Sequence, residues 1–365
     1  MKVALVTDWL VGIGGAERVV VELHKLFPEA PIYTSQHDPS KLDLLAGADV
    51  RTPWLQKLPI ATRKFMPVLR AWVFSRLDLS DYDLVISISG AEAKFVKTKP
   101  PQVHVSYCHS PTHYYWRRYS EYLKSPGFGL FNPLARLGLR LLVGPMRRWD
   151  KQAAQRPDYF IANSHHTKNE IKKYYGREAT IIHPPVDIER FGSKDNQKRR
   201  GFVTAGRQTP YKRIDLAVVA CTKLDLPLNV IGDGPEHRKL KRLAGPSVKF
   251  LGSLADEAVP KYFQAAEAFI LPTNVEDFGV TGVEAMAAGT PVIAYRGGGP
   301  LDYVEPGQTG LFFAELTPGS LIKTLQEFQT SQGFDHAAIT KYAERFSAAR
   351  FQTKFKDFLA RVTKA

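Results

Sequence analysis

Short runs of apolar residues alternate along this chain with longer stretches in which apolar side chains recur every three or four positions. In the first half the runs are residues 3–7, 84–89, 103–107, 159–163 and 180–182. In the second half they are 201–205, 228–231, 248–251, 268–271 and 292–294. The first run leads through a turn with Gly12, Gly14 and Gly15 into a helical pattern over 16–27. Near-continuous apolar strands alternating with helices predict parallel sheets covered on both faces. The alternation is interrupted once. Pro184-Pro185-Val186-Asp187 breaks regular structure, and the polar stretch 193–200 follows, which places an interdomain linker there. Two doubly wound α/β domains are expected, with a helical tail from about residue 338.

Composition narrows this picture. A chain of 365 residues suits two domains, and its 44% hydrophobic and 24% charged residues are those of a globular protein. No stretch reaches the roughly 18 apolar residues of a membrane span. Asp8 interrupts the N-terminal run early, so that run reads as a buried strand and not a secretory signal. Cys108 and Cys221 lie far apart, without metal-type spacing, and suit a reducing cytoplasm.

The net charge of +14 is uneven, since residues 1–185 hold 26 Lys and Arg against 16 Asp and Glu. That half should attract an anionic partner, unless the charge serves solubility alone. Two stretches mix cations with large apolar residues. One runs over 51–76, with Arg63, Lys64, Phe65, Arg70, Trp72 and Arg76. The other runs over 117–148, with Phe128, Leu134, Arg136, Arg140 and Leu141. Such mixing predicts an anionic membrane surface as partner, against the alternative of core residues beside a solvated face. No nucleic-acid recognition motif is present, so nucleic acid is not an expected partner.

Candidate chemistry is densest over 271–292. A strand ends near Leu271, a loop carries Glu276 and Gly279, and a short helix should start near Thr281 and stop at Gly289. Amides at such a helix start favour a diphosphate, and Gly279 allows close backbone approach. Glu276 and Glu284 can each accept two hydroxyl hydrogen bonds, as a ribose or hexose diol offers. They can equally be a solvated loop acid and a helix N-terminal acid. Earlier, Arg207 and Lys212 lie on the turn after the first strand of the second domain, where two cations could neutralise a diphosphate.

In the first half, Gly12-Ile13-Gly14-Gly15-Ala16-Glu17 lacks the last glycine of a dinucleotide fingerprint, since Glu17 stands there. The turn fits phosphate or sugar contact, or a plain strand–helix connection. His109 follows the strand 103–107. His113 lies four residues on, but the intervening Pro111 disfavours a metal-binding helix face. Asn163-Ser164, after the fourth strand, reads as a helix N-cap.

Taken together, these segments resemble glycosyltransferase family 4, a retaining family of GT-B architecture. The resemblance rests on Glu276 and Glu284 within their Phe278-Gly279 and Glu284-Ala285-Met286-Ala287-Ala288-Gly289-Thr290-Pro291-Val292 context. It also rests on Arg207 with Lys212, on Ile231-Gly232-Asp233-Gly234-Pro235, and on Val248-Lys249-Phe250-Leu251-Gly252. The resemblance implies two Rossmann-like domains facing a cleft. These would be an acceptor domain over 1–192, a nucleotide-sugar domain over 200–345, and a tail helix, 346–365, packed back on the first. It implies that Glu284 binds the donor ribose and Glu276 the transferred sugar. Arg207 and Lys212 would stabilise the leaving diphosphate without a metal. Phe250 and Leu251 would meet the nucleobase, and the Phe278, Gly279 and Val280 amides the sugar or diphosphate. Gly14 and Gly15 would lie over the diphosphate, with His109 against the sugar. The His109 neighbourhood is similar to that of mannosyl- and rhamnosyl-transferases, which favours GDP-mannose as donor and no separate cofactor. Asp277 stands where many members have glycine, which loosens the inference about the sugar.

The expected acceptor is a glycan or a polyprenyl-diphosphate-linked glycan, met in the cytoplasm at the inner face of the plasma membrane. Two other functions fit the same residues. A nucleotide-sugar epimerase would act without an acceptor. A non-catalytic membrane-associated partner in polysaccharide assembly would not need Arg207, Lys212, Glu276 and Glu284 together.

Overall fold

The computed structural model describes every residue except 13, 61, 63–65, 125, 128, 193–197, 332 and 364–365. Arg63, Lys64, Phe65, Phe128 and most of the polar stretch 193–200 thus lie outside the described residues. The chain divides into two units, Met1–His183 with Gln352–Ala365, and Pro184–Phe351. The division falls at His183/Pro184, ahead of the polar stretch. The reason is local: Val186 bridges to Ser347, and Phe191 of the turn Ile188–Phe191 stacks on Phe263 at 5.6 Å.

The first unit holds strands β1 Val3–Thr7, β2 Ile32–Thr34, β3 Val50–Arg51, β4 Leu84–Ser89, β5 Val103–Cys108, β6 Tyr159–Ala162 and β7 Thr180–Ile181. They pair in parallel in the order β3-β2-β1-β4-β5-β6-β7. The second unit holds β8 Phe202–Ala205, β9 Leu228–Ile231, β10 Val248–Gly252, β11 Ala268–Leu271, β12 Val292–Tyr295 and β13 Gly310–Phe313, in the order β10-β9-β8-β11-β12-β13. Each order reverses once, between β1 and β4 and between β8 and β11. Both units are therefore doubly wound Rossmann-like sheets. Strands β2, β3 and β13 are additional to those read from the sequence. Two of them have only two or three residues, and β13 opens on glycine.

Alternation along the central strands shows why the sheets need helices on both faces. In β11, Phe269 and Leu271 enter one apolar cluster while Ala268 and Ile270 enter the other. In β12, Val292 and Ala294 face the first cluster and Ile293 the second. Every one of these side chains is buried, so a polar residue would be costly at either phase of the strand.

The tail is not one helix. It forms His336–Ala343, a 3-10 turn Glu344–Phe346, and then Ala348–Val362. Phe346 is buried against Phe278 and Tyr303, and this contact sets the break. Beyond it Gln352 donates to Glu22 at 2.7 Å, and Phe358 meets Tyr159 edge-on in the first unit. Cys108 and Cys221 are both buried thiols, not joined in a disulfide.

Candidate active site

In the second unit, β8 and β11 are neighbours whose following connections leave the sheet in opposite directions. The crevice at such a switch point is where open α/β sheets bind ligands. The turn after β8 carries Arg207 and Lys212, and the loop after β11 carries Glu276. Their meeting is direct: Lys212 Nζ lies 2.8 Å from Glu276 Oε2 and 3.1 Å from Oε1. The two loops are also joined through the backbone, with the Asn274 amide donating to the Tyr211 carbonyl at 3.0 Å. Arg207 is exposed, and its guanidinium makes no hydrogen bond or ion pair among the described residues.

The helix Val280–Ala287 starts immediately beyond Glu276. Its N-cap, Gly279, is left-handed at φ +87°, a conformation that favours glycine. A Cβ there would lie 2.8 Å from the Tyr303 hydroxyl and 2.9 Å from Glu276 Cγ. Tyr303 is fully buried and donates to the Gly279 carbonyl at 3.1 Å. Burial, reinforced by Glu276 and Asp302, pushes its hydroxyl pKa well above the ordinary value, so it remains a donor. Phe278 packs beneath and is itself buried. The amides of Phe278, Gly279 and Val280 thus sit on a rigid turn at a helix N-terminus, where the dipole favours an anion.

Glu284 lies one turn into this helix and is buried. Arg190 reaches it at 3.4 Å and holds Asp256 at 2.8 Å with its other terminal nitrogen. The guanidinium stacks 4.4 Å over the Phe191 ring. Arg190 was not visible as a site residue, because its partner is 94 positions away. Its only sequence signal was its place just before the buried Phe191.

Two glycine turns hold these loops. Gly298, at φ +73°, bridges to Glu276, and the Gly299 amide donates to the Glu276 carbonyl at 2.8 Å. The turn after β9 is stitched to the turn after β8 by Gln208, which is fully buried. Its side chain donates to the Gly232 carbonyl at 2.7 Å and meets His237 Nδ1 at 2.8 Å. On β10, Phe250 pairs with Val230 while Gly252 pairs with Ile231. Leu251 is therefore the extra residue of a bulge, freed from the ladder. The Phe250 ring meets His237 edge-on at 5.4 Å.

In the first unit, Gly14 caps and Gly15 opens the helix Gly15–Leu26. A Cβ on Gly14 would lie 2.9 Å from the Glu17 carboxylate. His109 ends β5. Its amide donates to the Ser89 carbonyl at 2.9 Å, and its own carbonyl accepts from Asn163 Nδ2 at 2.9 Å. Ser164 is the N-cap of His165–Tyr175 and accepts from the Thr167 amide at 3.0 Å. Asn163 is therefore tied to the backbone at His109, and Ser164 to the start of its own helix. His113 Nε2 lies 3.0 Å from Ser110 Oγ.

Sequence reasoning missed Asp8, which sits at this unit's own switch point. Its carboxylate accepts from the amides of Gly90, Ala91 and Ala93 at 2.9, 3.0 and 2.7 Å. It thereby locks the turn after β4 on which His109 leans. The signal was present in its position directly after the β1 run.

Each unit thus gathers polar groups at its switch point on a Rossmann-like scaffold, which defines the GT-B class of fold. Comparison with known proteins agrees. The family described as "Glycosyltransferase Family 4" matches residues 13–190, and "Glycosyl transferases group 1" matches 185–346. The chain belongs to glycosyltransferase family 4, with the GT-B fold. It is 38% identical over 124 residues to a GDP-mannose-dependent alpha-mannosyltransferase of Mycolicibacterium smegmatis, covering 34% of this chain and 32% of that one. It is 28% identical over 203 residues to D-inositol 3-phosphate glycosyltransferase 2 of Catenulispora acidiphila, 47% of each chain. These alignments span between a third and half of the relatives' own length. Among solved structures, Anabaena HepE in complex with UDP superimposes with TM-score 0.70 at 20% identity, over 99% of this chain and 100% of that one. Sucrose-phosphate synthase of Thermosynechococcus elongatus gives 0.72 at 17%, over 99% of each.

Proposed function

We propose that this chain transfers a hexose, with retention of anomeric configuration, from a nucleoside-diphosphate sugar to a glycan or polyprenyl-diphosphate-linked acceptor. The observation that carries this reading is the Lys212–Glu276 pair at the β8/β11 switch point, beside the start of Val280–Ala287. Glu276 takes hydroxyls of the transferred sugar, and Glu284 takes the ribose diol. Phe250 and Leu251 meet the base. Arg207, Lys212 and the amides of 278–280 take the diphosphate. An ammonium has three donors, so one lysine can bridge the sugar-binding carboxylate and a phosphate oxygen.

As the glycosidic bond breaks, negative charge grows on the β-phosphate, and these fixed cations and amides stabilise it in place of a metal. The departing phosphate accepts the acceptor hydroxyl's proton, so attack comes from its own face and configuration is kept. His109, Gly14 and Gly15 of the first unit are proposed as further sugar and diphosphate ligands. GDP-mannose is the favoured donor, supported by the mannosyltransferase relative. The acceptor is met at an anionic membrane surface, on the inner face of the plasma membrane.

A thermal-shift screen over nucleotides and nucleotide sugars tests the donor. A donor at 100 times its Kd adds about 2.7 kcal/mol of stability. GDP-mannose should raise the midpoint most; no shift with any nucleotide sugar contradicts the reading.

A further inference from the structure

The helix Asn132–Ala153 is built inside out. On an ordinary surface helix the leucines face the core. Here Leu134, Leu137, Leu141 and Leu142, spaced to share one face, all point to solvent, with Leu134 68% and Leu141 66% exposed. Leu130 and Phe131, just before the helix, are 97% and 67% exposed. The inward face is short: Met146, Asp150 and Ala153 are its buried residues, and one of the three is charged.

What holds such a helix is its C-terminal half. Asp150 is fully buried and accepts from Trp116 Nε1 at 2.7 Å, Tyr175 Oη at 2.9 Å and Thr112 Oγ1 at 3.0 Å, with Lys94 Nζ at 2.7 Å. Trp149 packs edge-on against Phe95 at 5.0 Å, and Arg147 donates to the Tyr115 carbonyl at 2.5 Å. The apolar face is therefore presented by a fixed mount, and that mount grips the segment 112–116 following His109.

We infer that this face seats the chain on an anionic phospholipid bilayer, the leucines entering the interface and Arg140 and Arg148 meeting headgroups. From 132 to 149 the helix carries Arg136, Arg140, Arg147 and Arg148 and no acid. Arg140 and Arg148 are exposed. Charge complementarity selects the occupant: two copies meeting here would set arginine against arginine, whereas an anionic surface neutralises both. Among the described residues no helix is long and apolar enough to cross a membrane, so the contact is interfacial. This inference deepens the membrane part of the function proposed above and is independent of the transfer chemistry.

Co-sedimentation of the full chain with lipid vesicles tests it. At about 0.15 M salt the chain should pellet with phosphatidylcholine vesicles containing about 30% phosphatidylglycerol, and not with phosphatidylcholine alone. The pair Leu134→Glu/Leu141→Glu and, separately, Arg140→Glu/Arg148→Glu should each lower partitioning at least about tenfold. Nucleotide-induced thermal stabilisation should be unchanged in both, which shows that the fold and donor site persist. Should the leucine pair fail to fold, the arginine pair, confined to the surface, decides. Failure of the wild type to pellet with anionic vesicles overturns the inference, as does wild-type partitioning of both double variants. A dimer dissociated by the leucine changes with vesicle binding intact assigns the face to a second copy and also overturns it. None of these readouts uses turnover, so they stand or fall apart from the transfer reaction.

Discussion

Single residues in the first unit show how burial sets chemistry. His104 sits within β5, fully buried, with Nε2 2.9 Å from Ser87 Oγ. Burial, with Arg156 and Arg177 adding, pushes its pKa down to about 3. The folded chain therefore refuses a proton that the unfolded chain accepts below about pH 6.5. The unfolded state binds more protons throughout that window, so stability is full above it and falls as pH drops, by up to ~1.4 kcal/mol per pH unit. Urea unfolding of His104→Gln between about pH 7 and pH 5 should show a slope shallower by about one proton. Equal slopes in the two proteins would remove His104 from the account. The imidazole was not singled out from the sequence, because a histidine in an apolar run says nothing about its hydrogen-bond partner 17 positions away.

At the scale of elements, the glycine turn after β12 is what aims Glu276. A Cβ on Gly298 would collide with the Glu276 backbone, and the residue's φ of +73° adds strain. Gly307 has a similar φ of +78° with nothing within 4 Å of its Cβ direction, so it isolates the strain alone. Gly307→Ala should cost about 1 kcal/mol, and Gly298→Ala more, by about 1–3 kcal/mol in all. Gly298→Ala alone should also weaken donor-sugar recognition. Thermal unfolding with and without donor checks both; identical behaviour of the two variants would show that the turn does not position the glutamate. The loop and helix carrying Glu276 and Glu284 were legible in the sequence, because a strand end, a glycine and a short helix follow one another within 22 residues. The turn that braces them was not, since Arg296-Gly297-Gly298-Gly299 reads as a plain connection until β12 is laid beside β11.

Across the whole molecule, the two sheets were legible because their inner strands are continuous apolar runs buried on both faces. Strands β2, β3 and β13, at or next to a sheet edge, were too short or too glycine-bound to stand out. The unit boundary was less legible: polarity pointed to 193–200, whereas Val186 and Phe191 already pack into the second unit. Lys212 and Glu276 could each be read as candidates in advance because both follow strands, although their ion pair could not. Arg190 and Asp8 could not, because only the tertiary structure brings their partners to them.

In the proposed function, Lys212, Glu276 and Glu284 form one donor site, with the sugar on Glu276 and the ribose on Glu284. Calorimetric titration of GDP and GDP-mannose into the wild type, Glu276→Gln and Glu284→Gln tests it most directly. Losing a charged hydrogen-bond acceptor costs about 1.5–3 kcal/mol, or roughly tenfold to a hundredfold in affinity. Glu284→Gln should lose that much for both ligands. Glu276→Gln should bind GDP like the wild type and lose the added affinity contributed by the mannose. Wild-type binding of GDP-mannose by Glu276→Gln, or of GDP by Glu284→Gln, would contradict the account.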